Sequence, residues 1–301
     1  MILLCLLALM AKVVLSGLNP SPEPVLEAKL VDFLGRPIEA TMQKPQRIVS
    51  LSPGNTEIIF AVGAGNRLVG VTTYCDYPDA ARALPKVGGF YDPDVETIIL
   101  MQPDIVFTSG QMHLRVIQSL ERAGIKVVAI EPQSMADVIK AVRLVGELLH
   151  EQDNSEKIAN QLEQKLRAVQ ALNQPDKSPH RVFIEVWDVP LLTVGAKSYI
   201  SDIVTQAGGI NVAADRQADY TPCDYEALYA YNPDTYLIVR NGMAGKESRV
   251  ISKPEVADIE AIRRKRVFYV SDDYLGRPGP RSFIALEQIG EILHGKNGGE
   301  Q

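Results

Sequence analysis

A pattern that occurs twice in the chain constrains the fold more than any other feature of the sequence. In the first copy, Glu96 stands seven residues before Pro103-Asp104, and an apolar run follows. In the second copy, Glu226 stands seven residues before Pro233-Asp234, and a second apolar run follows. Proline ends a helix and aspartate is typical of the turn after it, so each copy predicts a helix, a turn and a strand. Two copies in 301 residues favour two similar lobes over one large domain.

Short apolar runs alternate with helical stretches around the first copy. The predicted strands cover residues 47–51, 68–73, 105–108 and 125–130, and the predicted helices cover residues 56–62, 95–101 and 113–123. Strands that alternate with helices form βαβ units around a parallel sheet. We therefore predict an α/β fold with two similar Rossmann-like lobes, at residues 45–134 and 176–298.

The segment between the two copies carries apolar residues at helical spacing. Val138, Val142 and Val145 form one stripe, and Ile158 and Leu162 extend the same spacing further along the chain. We therefore expect residues 135–175 to be a long helical connection that joins the lobes. A helix resists bending, so we expect the lobes to move little relative to each other.

The amino-terminal segment resembles a secretory leader. Residues 2–11 are an apolar run that is shorter than the roughly 20 residues a membrane-spanning helix needs, but it fits the apolar part of a signal peptide. Lys12 interrupts the run and no basic residue precedes it, so a buried helix is the alternative. We expect residues 1–17 to be a signal peptide, residues 18–44 to be a lead-in, and the protein to be exported. Cys5 follows Leu4 and not a small residue, so we expect no lipid attachment.

Composition excludes several classes of function. Lys and Arg number 31 against 37 Asp and Glu, a net charge of −6 that does not favour nucleic-acid binding. Three Cys and four His, at spacings that fit no common metal motif, predict neither a metal site nor a resident cofactor. Motifs of serine hydrolases, P-loop nucleotide binders and zinc peptidases are missing from the sequence. We expect a monomeric binding protein and not an enzyme.

Aromatic residues stand at the ends of predicted strands in both lobes. In open α/β sheets, ligands bind outside the carboxyl ends of the strands. Rings gathered there stack well on a flat ligand, so we predict a ligand cleft between the lobes. The residues predicted at strand ends on these grounds are Pro53, Gly54, Asn55, Tyr74, Phe90, Tyr91, Trp187, Tyr220 and Arg277.

Two motifs carry a resemblance to a known family. Residues 47–57 read Arg-Ile-Val-Ser-Leu-Ser-Pro-Gly-Asn-Thr-Glu, and residues 69–78 read Val-Gly-Val-Thr-Thr-Tyr-Cys-Asp-Tyr-Pro. Together with the lead-in motif at residues 32–37, they resemble the substrate-binding proteins of iron-siderophore and vitamin B12 ABC importers. The resemblance covers roughly residues 30–295. It implies the helical-backbone class of periplasmic binding proteins.

The resemblance also implies a ligand and a partner. It points to a cobalamin-type corrinoid that is held in the cleft and delivered to a permease dimer, and it adds Asp273 to the ligand-binding residues, as the partner of Arg277. It further implies that Glu96 and Glu226, one on each lobe, dock onto the permease. The simpler alternative is that both carboxylates only stabilise the amino-terminal ends of helices.

Two alternatives for the ligand and the function remain open at this stage. Within the family, a ferric siderophore or haem is the alternative ligand, since Arg277, Arg281 and several tyrosines suit anionic iron chelates. Outside the family, the alternative is an enzyme that handles a metal cluster on a similar scaffold. That enzyme would need Cys75 and Cys223 to face the cleft.

Overall fold

The computed structural model describes residues 30–39, 43–173, 178–240 and 248–295. The predicted signal peptide and the predicted boundary at residues 175–176 lie outside these ranges. Strands β1 (Leu30–Val31) and β2 (Pro37–Ile38) form a small antiparallel hairpin in the lead-in.

The first lobe is built on a parallel sheet of four strands, as predicted. They are β3 (Ile48–Ser50), β4 (Leu68–Val71), β5 (Ile105–Thr108) and β6 (Val127–Ala129). The strands lie in the order β4-β3-β5-β6, and all three pairings are parallel. Their carboxyl ends therefore lie along one edge of the sheet.

Helices of the first lobe flank this sheet. They are α1 (Pro53–Ala61), α2 (Asp79–Arg82), α3 (Val95–Leu100) and α4 (Leu114–Arg122). Helix α1 begins three residues before its predicted start, because the Ser52 side chain accepts a hydrogen bond from the Asn55 amide and Pro53 suits the first helical position. This early start brings the first turn of α1 to the edge of the sheet.

The predicted helical connection is confirmed, and it consists of two helices. Helix α5 (Met135–Leu148) is capped by Ser134, and helix α6 (Gln152–Gln170) follows a turn in which His150 has a positive φ of 54°. The two helices pack on each other. Their apolar faces join one core that extends from Ile58 in the first lobe to Phe283 in the second.

The second lobe repeats the strand order of the first. Its parallel strands are β7 (His180–Asp188), β9 (Gly209–Asn211), β11 (Thr235–Arg240) and β12 (Val267–Ser271), in the order β9-β7-β11-β12. Strands β8 (Leu191–Val194) and β10 (Tyr220–Pro222) add antiparallel pairings. The second sheet is thus mixed and not purely parallel, because β7 turns directly into β8.

The helices of the second lobe complete the fold. They are α7 (Tyr199–Gln206), α8 (Tyr225–Tyr231), α9 (Glu260–Arg263), α10 (Asp272–Leu275) and α11 (Ser282–His294). Helices α7 and α11 pack against the connecting helix α6. None of the helices in the described part of the chain has the length and apolar character needed to cross a membrane.

The repeated pattern seen in the sequence is a repeated turn in the structure. Asp104 accepts hydrogen bonds from the Gln46 and Arg47 amides at 2.6 and 2.8 Å, and Asp234 accepts one from the Arg181 amide at 2.9 Å. In each lobe this aspartate therefore ties the strand that follows the helix to the start of the neighbouring strand. This bond explains why aspartate follows proline in both copies.

The arginines of this turn also hold the preceding helices. Arg47 donates to the Met101 carbonyl at the end of α3, and Arg181 donates to the Tyr231 carbonyl at the end of α8. Compared position by position, residues 92–103 and residues 222–233 have the same pattern of exposed, half-buried and buried side chains. Helices α3 and α8 are structural copies of each other.

Candidate functional site

The carboxyl edge of the first sheet faces the second lobe across a cavity of about 270 Å³. The loops that follow β3, β4 and β5 line one side, and helix α10 with the loop after it lines the other. Among the described residues, the lining consists of Ser52, Pro53, Gly54, Tyr74, Phe90, Tyr91, Ser109, Asp272, Gly276, Arg277 and Pro278.

Three aromatic residues form the wall on the first lobe. Tyr74 and Tyr91 are 53% and 72% exposed, so their rings are open to a ligand. The Phe90 ring lies edge-on to the Tyr91 ring, with ring centroids 5.1 Å apart, and lies 5.1 Å from the imidazole of His113. We call Tyr74, Phe90 and Tyr91 the aromatic wall.

His113 packs against the aromatic wall on its buried side. Its Nδ1 accepts a hydrogen bond from the Ser109 amide at 3.2 Å, so Nε2 carries the proton and donates to the Phe90 carbonyl at 2.6 Å. The side chain is buried. Burial lowers the pKa of His113, against the opposing effects of the Phe90 carbonyl and the Glu131 carboxylate. The neutral imidazole thus links two of the loops that line the cavity.

Two charged residues of the second lobe, Asp272 and Arg277, form the opposite wall, which we call the polar wall. Arg277 pairs with Asp273, one helical turn away, at 2.9 Å, and it also pairs with Asp76 from the first lobe. The hydrogen bond from Arg277 lowers the pKa of Asp76. Burial raises the pKa of Asp272, which lines the cavity beside them. The ion pair of Arg277 and Asp76 crosses from one lobe to the other.

The floor of the cleft is a direct contact between the two backbones. A Cβ atom at Gly54 would lie 2.3 Å from the Pro278 carbonyl oxygen, and the Gly279 backbone lies next to it. Glycine is therefore required at position 54 by the close approach of the other lobe.

A second ion pair crosses between the lobes below the floor. Arg281 donates to a Glu57 oxygen at 2.6 Å, and its guanidinium lies 4.0 Å from the centre of the Tyr77 ring. Glu57 is 4% exposed, and burial raises its pKa although Arg281 opposes the shift. The other Glu57 oxygen is buried without a hydrogen-bond partner among the described residues. This pair is part of the lobe contact and not of the cavity wall.

Six of the ten residues predicted to bind a ligand line the cavity. They are Pro53, Gly54, Tyr74, Phe90, Tyr91 and Arg277. Tyr220 lies close by with an exposed ring, since desolvation of its hydroxyl group and the nearby Asp272 carboxylate raise its pKa. Asp273 is held in its pair with Arg277.

The remaining two predicted residues, Asn55 and Trp187, make other contacts outside the cavity lining. Asn55 is buried in α1 and donates to the Thr108 carbonyl at 3.3 Å, so it ties α1 to β5. Trp187 lies opposite Leu192 in the hairpin of β7 and β8, and its indole donates to the Val189 carbonyl at 2.8 Å. The hairpin continues the sheet at the point where the sequence predicted the end of a strand.

Several residues of the site were not predicted from the sequence. Asp76 belongs to the motif at residues 69–78, but its partner is 201 positions away. Asp272 directly precedes the predicted Asp273, and its place after the last strand is the signal that indicates it. His113 gave no signal, because a single histidine at the start of a helix is most often structural.

The cysteines do not face the cleft. Cys75 is buried, with its sulfur 3.1 Å from the Thr56 hydroxyl and 3.2 Å from the Thr72 hydroxyl. Cys223 is buried in the second lobe, where burial raises its pKa to about 11. Within the described ranges, no three side chains of His, Cys, Asp or Glu are arranged to hold a metal ion. The buried positions of Cys75 and Cys223 do not meet the condition that both cysteines face the cleft.

The two predicted docking residues occupy equivalent surface positions. Glu96 lies in the first turn of α3 and Glu226 in the first turn of α8, and both are exposed. Asp94 and Asp224 cap these helices two residues earlier and accept bonds from the Thr97 and Ala227 amides. Because aspartates already cap both helices, neither glutamate is needed for that purpose.

The floor contact predicts that Gly54→Ala separates the lobes locally. The added methyl group has no space beside the Pro278 carbonyl, so we expect unfolding free energy to fall by roughly 1–3 kcal/mol, as for other overpacked sites. Gly279→Ala is the matched control, because the nearest atom to its Cβ would lie at 3.4 Å, an ordinary contact distance. Denaturant titration of both variants measures the difference, and equal stability would contradict the tight contact.

The neutral state of His113 predicts a pH-dependent stability. Its folded pKa is below the unfolded value of about 6.5, so the unfolded chain binds more protons as the pH falls below that value. This group should therefore destabilise the fold progressively from about pH 6.5 down to its lowered folded pKa. His113→Gln can keep the donor to Phe90 but does not titrate. As the pH is lowered from about 7.5 to 5, the denaturant midpoint should fall less in the variant than in the wild type. Parallel pH profiles of the two proteins would contradict this effect of His113.

Comparisons with known proteins agree on one family. The sequence matches the periplasmic binding protein family over residues 48–274. It is 29% identical to an uncharacterized ABC transporter substrate-binding lipoprotein of Bacillus subtilis, over 95% of both chains. It is 26% identical to a vitamin B12-binding protein of Vibrio vulnificus, over 82% of this chain and 89% of that protein.

The fold of a solved structure agrees with the same assignment. A periplasmic heme-binding protein of Roseiflexus superposes with a TM-score of 0.73 and 28% identity, over 83% of this chain and 98% of that chain. The family predicted from residues 47–57 and 69–78 is therefore confirmed. The chain belongs to the periplasmic binding protein family, among the substrate-binding proteins of the iron-siderophore and vitamin B12 type.

Proposed function

We propose that this chain is a non-enzymatic substrate-binding protein that captures a cobalamin-type corrinoid in the cleft and delivers it to an ABC permease dimer. The observation that carries the proposal is the aromatic wall of one lobe facing the polar wall of the other across one cavity. Rings stack on the face of a flat macrocycle, and the polar groups accept and donate hydrogen bonds at its edge.

The size of the cavity indicates how such a ligand lies. Its volume of about 270 Å³ lies below the range of ordinary ligand pockets, which span about 300–1,000 Å³. A macrocycle therefore extends from the cavity across the open mouth of the cleft. The exposed rings of Tyr74, Tyr91 and Tyr220 are placed to cover it there.

Haem is the second candidate ligand. The likeness to the Roseiflexus heme-binding protein supports it, and the likeness to the Vibrio vitamin B12-binding protein supports a corrinoid. Both ligands are flat macrocycles, so the aromatic wall suits either one. The difference lies at their edges, where corrinoids carry amides and haem carries carboxylates.

The names of the relatives support a place outside the cytoplasm. The Bacillus relative is a lipoprotein and the Roseiflexus relative is periplasmic. We infer that this protein also works on the outer face of the membrane, where it meets its ligand and its permease. Export by the segment at residues 1–17 is part of this proposal.

Delivery uses Glu96 and Glu226 in the proposed mechanism. Each is an exposed carboxylate at the same position of a repeated helix, one on each lobe. Arginines of a permease dimer would pair with both carboxylates at once, which fixes the orientation of the cleft over the channel. The caps at Asp94 and Asp224 support this assignment, since they leave the glutamates to interact outward.

Calorimetry with cyanocobalamin, haem and the ferric siderophore ferrichrome tests the ligand. We expect cyanocobalamin to bind, and Tyr91→Ala to weaken that binding about tenfold because it removes one stacking ring. Tyr229→Ala is the control, since that ring is 56% exposed on α8, away from the cavity lining. No heat with cyanocobalamin would contradict the corrinoid proposal, and heat with haem or ferrichrome alone would assign that ligand in its place.

Transport assays test the docking residues. We expect the double variant Glu96→Ala and Glu226→Ala to lose ligand uptake by the cognate importer while it keeps the ligand affinity of the wild type. Asp258→Ala is the control, because it also removes an exposed carboxylate of the second lobe. If the double variant loses ligand binding, the pair has a structural role and the docking proposal fails.

A further inference from the structure

The charges in the cleft are not balanced. Among the cavity-lining residues of the described structure, the charged side chains are Arg277 and Asp272. Arg277 is in turn paired with Asp76 and Asp273, so with Asp272 this part of the cleft holds three carboxylates for one guanidinium. The cleft is therefore acidic, although its most prominent polar group is an arginine.

Arg277 is already paired with carboxylates and so is poorly available to an incoming anion. Its side chain is 17% exposed, and carboxylates from both lobes occupy it on two sides. An incoming carboxylate would have to displace Asp76 or Asp273, or bind next to them without a free positive charge. Like charges this close repel each other, so a ligand with carboxylates at its edge is disfavoured.

Asp272 offers the opposite chemistry. It lines the cavity and forms no salt bridge in the described part of the chain. A carboxylate accepts hydrogen bonds and donates none when ionised. It therefore favours a ligand whose edge carries N–H donors.

We propose that Asp76 is a specificity-determining residue, which neutralises Arg277 across the cleft and so selects ligands edged with amides over ligands edged with carboxylates. This inference rests on the proposed function, since it concerns the ligand of the same cleft. It assigns a role to a residue of the first lobe that lies outside the cavity lining and acts through the arginine of the second.

Two pairs of probes isolate the edge of the ligand from its size and shape. The first pair is cyanocobalamin and its monocarboxylic acid, in which one propionamide is hydrolysed. The second pair is haem and haem dimethyl ester. Within each pair the ring is the same and the difference is confined to the carboxylate, amide or ester groups at the edge, so the ratio of the two Kd values measures the selectivity for the edge.

Asp76→Asn keeps the shape of the side chain and removes its charge. We expect the wild type to prefer the uncharged edge in each pair that binds, and Asp76→Asn to reduce this preference about tenfold because Arg277 becomes available to a carboxylate. Asp79→Asn is the matched control, since its carboxylate is 98% exposed and pairs with Arg82 on α2. The control should keep the selectivity of the wild type.

A second variant separates selectivity from lobe contact. Asp273→Asn also releases Arg277, but Asp273 pairs with it within one lobe, so this variant does not remove a bridge between lobes. It should reduce the preference in the same direction. Thermal unfolding of each variant identifies any loss of affinity that follows from loss of fold.

The outcomes distinguish this inference from the proposed function. Equal or tighter binding of the acid forms by the wild type overturns the inference and leaves corrinoid capture intact. An unchanged preference in Asp76→Asn also overturns it, whatever the result with Asp273→Asn. If corrinoids fail to bind while haem dimethyl ester binds more tightly than haem, corrinoid capture fails and the selectivity stands. If neither ring system binds, both proposals are wrong.

Discussion

The contact between the Gly54 backbone and the Pro278 carbonyl determines the geometry of the cleft. The lobes meet where no side chain intervenes, and an ion pair lies on each side, Asp76 with Arg277 and Glu57 with Arg281. Such pairs add little net stability, because solvent screens a partly exposed pair such as Asp76 with Arg277, and burial of a pair such as Glu57 with Arg281 removes charges from water at a cost. Their effect here is to specify one arrangement of the lobes. Because the aromatic wall and the polar wall belong to different lobes, the cleft exists only in that arrangement.

The second organising element is the connection formed by α5 and α6. Its apolar residues belong to the same core as those of α1 and α11, so the lobes share an interior and are not two units on a tether. A change in the cleft would have to be accommodated within this packed core. Because of this packing we expect small movements of the lobes, so that a ligand would be accommodated mainly by the rings of the aromatic wall, two of which are exposed.

Much of the fold and part of the site could be predicted from the sequence. The strand β5 was predicted at its observed bounds, because its apolar run begins right after Pro103-Asp104. Tyr74 and Tyr91 were found because residues after parallel strands gather at one edge. Trp187 was predicted to bind the ligand and lies outside the cavity lining, because β7 continues into an antiparallel hairpin that the strand pattern does not reveal. Asp76 and Glu57 were missed because their arginine partners are more than 200 positions away.

The likeness of α3 and α8 has a consequence for recognition. A symmetric partner that contacts only Glu96 and Glu226 would accept the protein in either of two orientations, related by half a turn. The neighbouring positions break this equivalence, since Ile99 and Leu100 are exposed on α3 where Tyr229 and Ala230 are exposed on α8. The surface beside the glutamate is aliphatic on the first lobe and carries a phenol on the second. The two ends of the molecule therefore present different chemistry. A partner that contacts these side chains can therefore distinguish the first lobe from the second.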